Sequence, residues 1–167
     1  MISKALALFM LCLSLTSFAA TAEKGKKFEA HFLDKMIMHH QDGVKMAELG
    51  AAKATNPEVK KMSEKMVSDQ KEEIAQMEKW RSDLYKNVPK SKDMPPKMEM
   101  SSLQSASGKE FDKKYLDMMS KHHESGIDMF EEAESKATND QIKKFAMKGS
   151  QNQEREKQHM EHMKTSM

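Results

Sequence analysis

The sequence predicts an all-α protein, a four-helix bundle built from two repeated helical hairpins. Four long segments carry apolar residues at helical spacing, and none shows the strict alternation of a half-buried strand. The second pair of segments repeats the first: a shift of 83 residues aligns 32–80 with 115–163 without a gap, and 19 of the 49 positions are identical. Each hairpin has a single apolar stripe, so two hairpins bury their stripes against each other.

The first 22 residues are expected to be a signal peptide and are set apart from the fold. Lys4 supplies a basic start, Ala5–Leu15 is an apolar run too short to span a bilayer, and Ala20-Thr21-Ala22 is a typical cleavage site. The only cysteine, Cys12, lies in this leader. We therefore expect a periplasmic protein without thiolates or disulfides, and without membrane attachment after cleavage.

Repeat one is expected to cover about residues 30–86. Its first helix is predicted over about 30–54, and its second helix runs to about residue 85. Between them, Asn56 is a favourable N-cap residue and Pro57 suits the first position of a helix. These residues predict a short junction and an antiparallel helix pair.

A linker over about 87–107 joins the repeats, and the whole of 23–167 is expected to form a single domain. The linker is rich in proline, lysine, serine and methionine, which predicts a segment with no core of its own, long enough to cross the end of the molecule. Repeat two is expected over about 108–165. Its first helix starts near Lys109 and stops near Ala137, and its second helix runs to the C-terminus.

Histidine and methionine are the most notable residues that the two repeats share. At about 100° per residue they fall on the buried stripe of the first helix of each repeat. The two sets are Met36, His39, His40 and Met46, and Met119, His122, His123 and Met129. A glycine lies one turn after each histidine pair and leaves space beside it. Both residue types bind metals, so the pattern predicts a metal site.

Glutamate and glutamine recur at matched inward positions on the second helix of each repeat. Glu73 and Glu156 are expected either to accept the free ring N–H of a ligating histidine or to bind the metal themselves. Gln70 and Gln153 accompany them. The spacing does not distinguish the two roles of the glutamates.

Further methionines and histidines extend the candidate metal site. His159, Met160 and Met163 form a run near the C-terminus, and the linker carries a flexible run of three methionines over 94–100. Uncharged sulfur is a poor ligand for Mg²⁺ or Ca²⁺ and suits Cu(I) or Ag(I). We therefore expect Cu(I), with Ag(I) as a second soft ion, ahead of zinc or iron.

Other classes of function are disfavoured by composition. Without Lys4 the chain has 27 basic and 26 acidic side chains, so no charge excess favours nucleic acid or anionic lipid. A ferritin-like di-iron centre needs Glu-x-x-His on two helices, and only Glu156 and His159 provide one. We expect no enzyme and no catalytic residues. A metal-dependent oxidase and a purely structural bundle are the alternatives.

Both repeats resemble the family known as domain of unknown function 305, exported bacterial four-helix proteins of the ferritin-like type. The resemblance rests on Phe32-Leu33-x-x-Met36-Ile37-x-His39-His40-Gln41-x-x-Val44-x-Met46-Ala47, Gln70-x-x-Glu73-Ile74-x-x-Met77-x-x-Trp80 and Leu116-x-x-Met119-x-x-His122-His123-x-x-x-Ile127-x-Met129. Some members bind copper or silver and are linked to periplasmic metal tolerance. The resemblance implies that role here.

The expected function is therefore to sequester or carry Cu(I), and also Ag(I), in the periplasm, which contributes to copper tolerance. The partners expected are the soft ion itself and a periplasmic copper exporter or chaperone. The pattern is compatible with a monomer or a dimer. It also permits two symmetric metal sites, one shared central site or several weak ones.

Overall fold

The computed structural model describes the backbone of residues 4–167 and the side chains from residue 22 onward. Every secondary-structure element assigned within this part of the chain is an α-helix. They are α1 (Lys4–Lys53), α2 (Pro57–Tyr85), α3 (Ser101–Ser105), α4 (Gly108–Lys136) and α5 (Asp140–Ser166). α1 packs against α2, α4 packs against α5, and the two hairpins meet through α1 and α4. The predicted four-helix bundle of two repeated hairpins is confirmed.

The first helix begins much earlier than the predicted residue 30. α1 starts at Lys4 and continues without a break through the segment expected to be the leader. That segment contains no proline and is rich in alanine and leucine, which favour helix, so no residue stops it. Residues 1–3 and the side chains before residue 22 lie outside the described structure, and the leader remains a prediction. None of the described helices is long and apolar enough to cross a membrane.

Both hairpins turn at equivalent capped junctions. The side chain of Asn56 accepts hydrogen bonds from the backbone N–H of Glu58 at 2.8 Å and of Val59 at 3.4 Å. Asn139, which is 83 residues further on, caps α5 in the same way, with Gln141 and Ile142 as donors. The predicted cap is therefore confirmed and is repeated, because an asparagine side chain satisfies N–H groups that have no partner within the helix.

A buried carboxylate from each hairpin holds the junction of the other. Asp112, on α4, accepts hydrogen bonds from the backbone N–H groups of Thr55 and Asn56, both at 2.9 Å. Glu29, on α1, accepts the equivalent bonds from Thr138 and Asn139 at 2.6 and 2.7 Å. Asp112, near the start of α4, therefore lies beside the end of α1, and Glu29 of α1 lies beside the end of α4. We call α1 and α4 the inner helices, and α2 and α5 the outer helices. α1 and α4 are antiparallel and related by an approximate two-fold axis.

Replacing Asp112 with asparagine is expected to destabilise the protein by about 1–3 kcal/mol. The amide would face N–H donors that now bond to a carboxylate oxygen, and Asp112 is 1% exposed, so water does not compensate. Urea unfolding measures the loss. Asp117→Asn is the control, because Asp117 is 57% exposed where it pairs with Lys164, and it should change stability by less than about 0.5 kcal/mol. Equal effects of the two changes would contradict the prediction.

The linker runs along the bundle and does not cross its end. The antiparallel arrangement of α1 and α4 puts Tyr85 and Gly108 at opposite ends, so the chain must travel the length of α1. Successive contacts trace this path. They are Ser91 with Asp34, Asp93 with Lys35, Met98 with Asp42, and Gln104 with Lys53. Gly108, with φ of 60°, turns the chain into α4.

The linker also contributes to the core, which the sequence did not predict. Its short helix α3 buries Leu103 completely, and Ala106 is 5% exposed. An apolar side chain of this size gains about 1.5–3 kcal/mol when it is fully buried. The segment is therefore fixed to the bundle at its α4 end.

The core consists of two groups of apolar side chains. We call the first the Phe130 cluster; its buried members include Phe32, Leu33, Met36, Met77, Phe130 and Ile142. The second is the Tyr115 cluster, whose buried members include Met46, Met66, Phe111, Tyr115, Met119, Met160 and Met163. In both α1 and α4 the paired histidines lie in sequence between residues of the two clusters. Polar side chains therefore occupy the middle of the bundle.

Candidate metal site

The four duplicated histidines are all buried, as the helical stripe predicted. His39 and His122 are 7% and 4% exposed, and His40 and His123 are fully buried. Each pair occupies adjacent positions on an inner helix, so its two rings point about 100° apart. As a result, one histidine of each pair faces the opposite inner helix and the other faces the outer helix of its own hairpin.

His39 and His122 meet across the approximate two-fold axis. Their rings stack with centroids 3.7 Å apart and planes 21° from parallel. The Nε2 of His39 donates to the backbone carbonyl oxygen of His122 at 3.1 Å, and the Nε2 of His122 donates to that of His39 at the same distance. A carbonyl oxygen only accepts, so the proton of each ring is on Nε2.

His40 and His123 each bond to a glutamate on the outer helix of the same hairpin. The Nε2 of His40 donates to Glu73 at 2.7 Å, and the Nε2 of His123 donates to Glu156 at 2.8 Å. Both carboxylates are partly open to solvent, with side-chain exposures of 29% and 28%. Of the two roles that the sequence left open, this geometry matches a glutamate that accepts the ring N–H.

The Nδ1 atom of all four histidines is buried and has no hydrogen-bond partner. With the proton on Nε2, each Nδ1 carries a free lone pair, which is the form of imidazole that binds metals. An unsatisfied buried polar atom costs about 1–3 kcal/mol. Four such atoms at matched positions are an unusual cost for a small bundle. They fit a donor set for a metal ion.

Burial also keeps the central histidines neutral. It is the main cause that lowers the pKa of His39 from 6.5 to about 3, and the nearby His40 lowers it further. The pKa of His122 is likewise well below its ordinary value, first through burial and then through His39. A neutral imidazole keeps its lone pair, so these rings do not need to lose a proton before they bind a metal near pH 7.

The buried methionines are divided between the two repeats in a way that the sequence did not show. Met36 lies in the Phe130 cluster, and Met129, from the other repeat, packs against the same cluster. Met46 lies instead in the Tyr115 cluster with Met119. His40 is also near the Phe130 cluster, 6.1 Å from the ring of Phe130. Each group of thioethers therefore combines a methionine from α1 with one from α4.

The glycine that follows each histidine pair makes room for the other repeat. A Cβ on Gly43 would lie 2.8 Å from Cε1 of His122, and one on Gly126 would lie 2.9 Å from Cε1 of His39. Gln70 and Gln153 fill the remaining space, and the Oε1 atom of each is buried without a partner. The predicted opening beside the histidines is thus filled by a histidine of the other repeat and by a glutamine of the same repeat.

The predicted C-terminal ligand run does not converge. Met160 and Met163 are fully buried in the Tyr115 cluster, whereas His159 is exposed on the other side of α5. His159 lines a groove between α2 and α5, beside Met62 and Glu156. At about 100° per residue, adjacent positions on a helix face different directions. The run is therefore divided between the core and the groove.

Among the described residues, no three His, Cys, Asp or Glu side chains are close enough together to hold a metal ion. A di-iron centre is built from such groups. The donors present here are instead imidazole nitrogens with thioethers nearby. This chemistry suits soft ions better than iron.

The family model described as domain of unknown function DUF4142 matches residues 15–165. The chain belongs to this family. The resemblance to the DUF305 family is supported as well, since a DUF305 protein from Streptomyces coelicolor is similar at 25% identity and a TM-score of 0.73, covering 81% of this chain and 89% of that one.

Solved structures of CopM are similar to this DUF4142 chain along nearly their whole length. Its Cu(II)-bound form is 26% identical with a TM-score of 0.74, and its Ag-bound form from co-crystallization is 27% identical with a TM-score of 0.73. Both cover 83% of this chain and 96% of CopM. CopM has also been solved in a Cu(I)-bound form, at 27% identity. No curated protein matches the chain.

Proposed function

We propose that this protein binds Cu(I), and also Ag(I), through histidine nitrogens and methionine sulfurs, and that it sequesters or carries the ion in the periplasm. The observation that carries the proposal is the set of four buried Nδ1 atoms without partners, in rings whose Nε2 atoms are already fixed. The similarity to CopM, solved with copper and with silver, supports the choice of metal. Copper tolerance follows as the physiological role.

His40 and His123, which face the outer helices and which we call the outer histidines, each have methionines of both repeats in the nearby core. His40 would act with Met36 and Met129, since all three lie at the Phe130 cluster. By the two-fold relation, His123 would act with Met119 and Met46 of the Tyr115 cluster. Cu(I) favours few, uncharged soft ligands, and one imidazole with two thioethers provides such a set.

In this proposal, Glu73 and Glu156 orient His40 and His123 and do not bind the ion. Each accepts the Nε2–H, which leaves Nδ1 for the metal and makes the ring a better donor. An oxidase would instead use these carboxylates as iron ligands, and their bonds to the histidines do not favour that alternative. We therefore propose a binding protein and not an enzyme. A periplasmic exporter or chaperone is the partner expected to exchange the ion.

The double change Glu73→Gln and Glu156→Gln is expected to weaken Cu(I) binding about 10- to 100-fold. A neutral amide accepts the Nε2–H less strongly than a carboxylate, so each ring becomes a poorer donor and is less firmly oriented. Competition with a chromogenic Cu(I) chelator measures the change. Glu72→Gln, at an exposed neighbouring position, is the control and should bind as the wild type does. Complete loss of binding would instead indicate that the carboxylates are themselves ligands.

Anaerobic titration of the purified protein with Cu(I) against that chelator tests the function, with Zn²⁺ and Fe²⁺ as comparisons. Tight binding of Cu(I) and a weak response to the other two ions are expected. Preference for Fe²⁺, with O₂-dependent turnover, would favour the oxidase. If no ion binds, the protein is a structural bundle and the proposal is wrong.

A further inference from the structure

The linker passes over the stacked histidines at the centre of the bundle. A cavity of about 380 Å³ lies between them, lined by His39 and His122 from the inner helices and by Pro95, Pro96 and Met98 from the linker. The backbone N–H of Met98 donates to Asp42 at 3.3 Å, which fixes the linker at this point. One wall of the cavity is therefore formed by a segment outside both repeats.

Two thioethers face the same cavity as the two imidazoles. Met98 comes from the linker and Met118 from α4, and both are partly buried against the Tyr115 cluster. His39 and His122 are more than nine-tenths buried, and each keeps an Nδ1 without a partner. Two methionines and two buried imidazole rings thus line one partly open cavity.

We propose that the linker completes a separate soft-metal site, in which Met98 and Met118 bind Cu(I) or Ag(I) together with His39 and His122. This inference rests on the proposed function, because it assumes that the protein binds such ions. It adds a site that uses neither His40 nor His123, and it gives the linker a role in binding. Met98 and Met118 become ligands that the repeated motif does not contain.

The charges around the cavity favour a monovalent ion. The four proposed ligands are uncharged, and Lys97 and Lys121 also line the cavity. Asp42 lines it as well, but its carboxylate is already paired with Lys45 at 2.7 Å. A divalent cation would experience two positive charges with little compensation, so Cu(I) and Ag(I) should bind here in preference to Cu(II) and Zn²⁺.

The site occurs once because the linker breaks the two-fold relation. Lys35 occupies the position in repeat one that Met118 occupies in repeat two. The linker follows a single path, and at Lys35 it contributes the carboxylate of Asp93 and not a methionine. The site therefore adds one ion to those held by the outer histidines.

The experiment is a titration with Ag(I), read by NMR of methionines labelled with ¹³C at the ε-methyl group. Ag(I) is diamagnetic and stable in air, and a bound thioether shifts the signal of its methyl group. The signals of Met98 and Met118 are assigned from their absence in the single variants Met98→Leu and Met118→Leu. In the wild type, both signals are expected to shift together as Ag(I) is added. The double leucine variant is expected to bind one Ag(I) fewer than the wild type, and His40→Ala with His123→Ala should leave both shifts in place.

Met94→Leu is the matched control, since Met94 lies in the same linker but is 37% exposed and lines a different cavity. It should leave the number of bound ions unchanged. If the wild type binds Ag(I) but the double leucine variant binds the same number, the linker site is wrong and the proposed function stands. If the wild type binds no Ag(I) or Cu(I), both are wrong.

Discussion

Replacing His39, His40, His122 and His123 together by alanine is expected to weaken Cu(I) binding by at least about 1,000-fold, or about 4 kcal/mol. Among the described residues, the change removes the four buried ring nitrogens that lack a partner, and the thioethers are the soft donors that it leaves in the core. Uncharged sulfurs retain some affinity for Cu(I), so weak binding should persist. Competition with chelators of graded affinity measures the loss.

The matched control for that experiment is His31→Ala with His162→Ala. These two histidines lie near the surface and are not part of the central arrangement. Replacing both of them should leave the affinity for Cu(I) unchanged. Because four alanines open space in the core, circular dichroism must show that the variant is folded, and His40→Ala with His123→Ala provides a milder second variant. Wild-type affinity in the folded quadruple variant would refute the proposed function.

The second large effect is a loss of stability of the metal-free protein as the pH falls below about 6.5. The pKa of His39 is about 3 in the folded protein and 6.5 in the unfolded chain. Between these values the unfolded chain binds a proton that the folded protein does not, so the free energy of unfolding decreases as the pH falls. His39 alone contributes up to about 1.4 kcal/mol per pH unit, which amounts to about 2 kcal/mol between pH 6.5 and 4.5. His122 acts in the same direction.

Urea unfolding at intervals from pH 7 to pH 4, with a chelator present, measures this dependence. The double variant His39→Gln with His122→Gln should lose a large part of the slope, because glutamine does not titrate. His162→Gln, at an exposed position, should keep it. Carboxylates contribute to acid unfolding in all three proteins, so the comparison depends on the difference in slope. Identical slopes would show that the central histidines are not kept neutral by burial.

The helices and their order were largely predictable because their signals are local. Apolar spacing defined the helical segments, and Asn56 with Pro57 marked the first junction. The start of α1 was misplaced because a leader and a helix share the same apolar, helix-forming residues. The predicted path of the linker across the end of the bundle was also wrong. The path depends on the antiparallel arrangement of α1 and α4, which the repeat alone does not specify.

The burial of the paired histidines was predictable from the sequence, but the contacts that they make were not. Duplication identified the paired histidines, and helical spacing placed Glu73 and Glu156 inward. Neither could show that His39 and His122 would stack on each other, because that contact joins residues 83 positions apart. For the same reason Met36 and Met46, which belong to one motif, lie in different clusters.

By itself, the sequence determined the kind of chemistry available: an α-helical chain without cysteine beyond residue 12, with imidazoles and thioethers on buried stripes. Composition and helical periodicity depend only on residue types and local geometry, so one chain is enough to read them. The tertiary structure decided which nitrogen of each ring is free, which methionines share a core cluster, and that the linker covers His39 and His122. These features arise from packing between distant segments, where the position of each helix selects the hydrogen bonds that its side chains make.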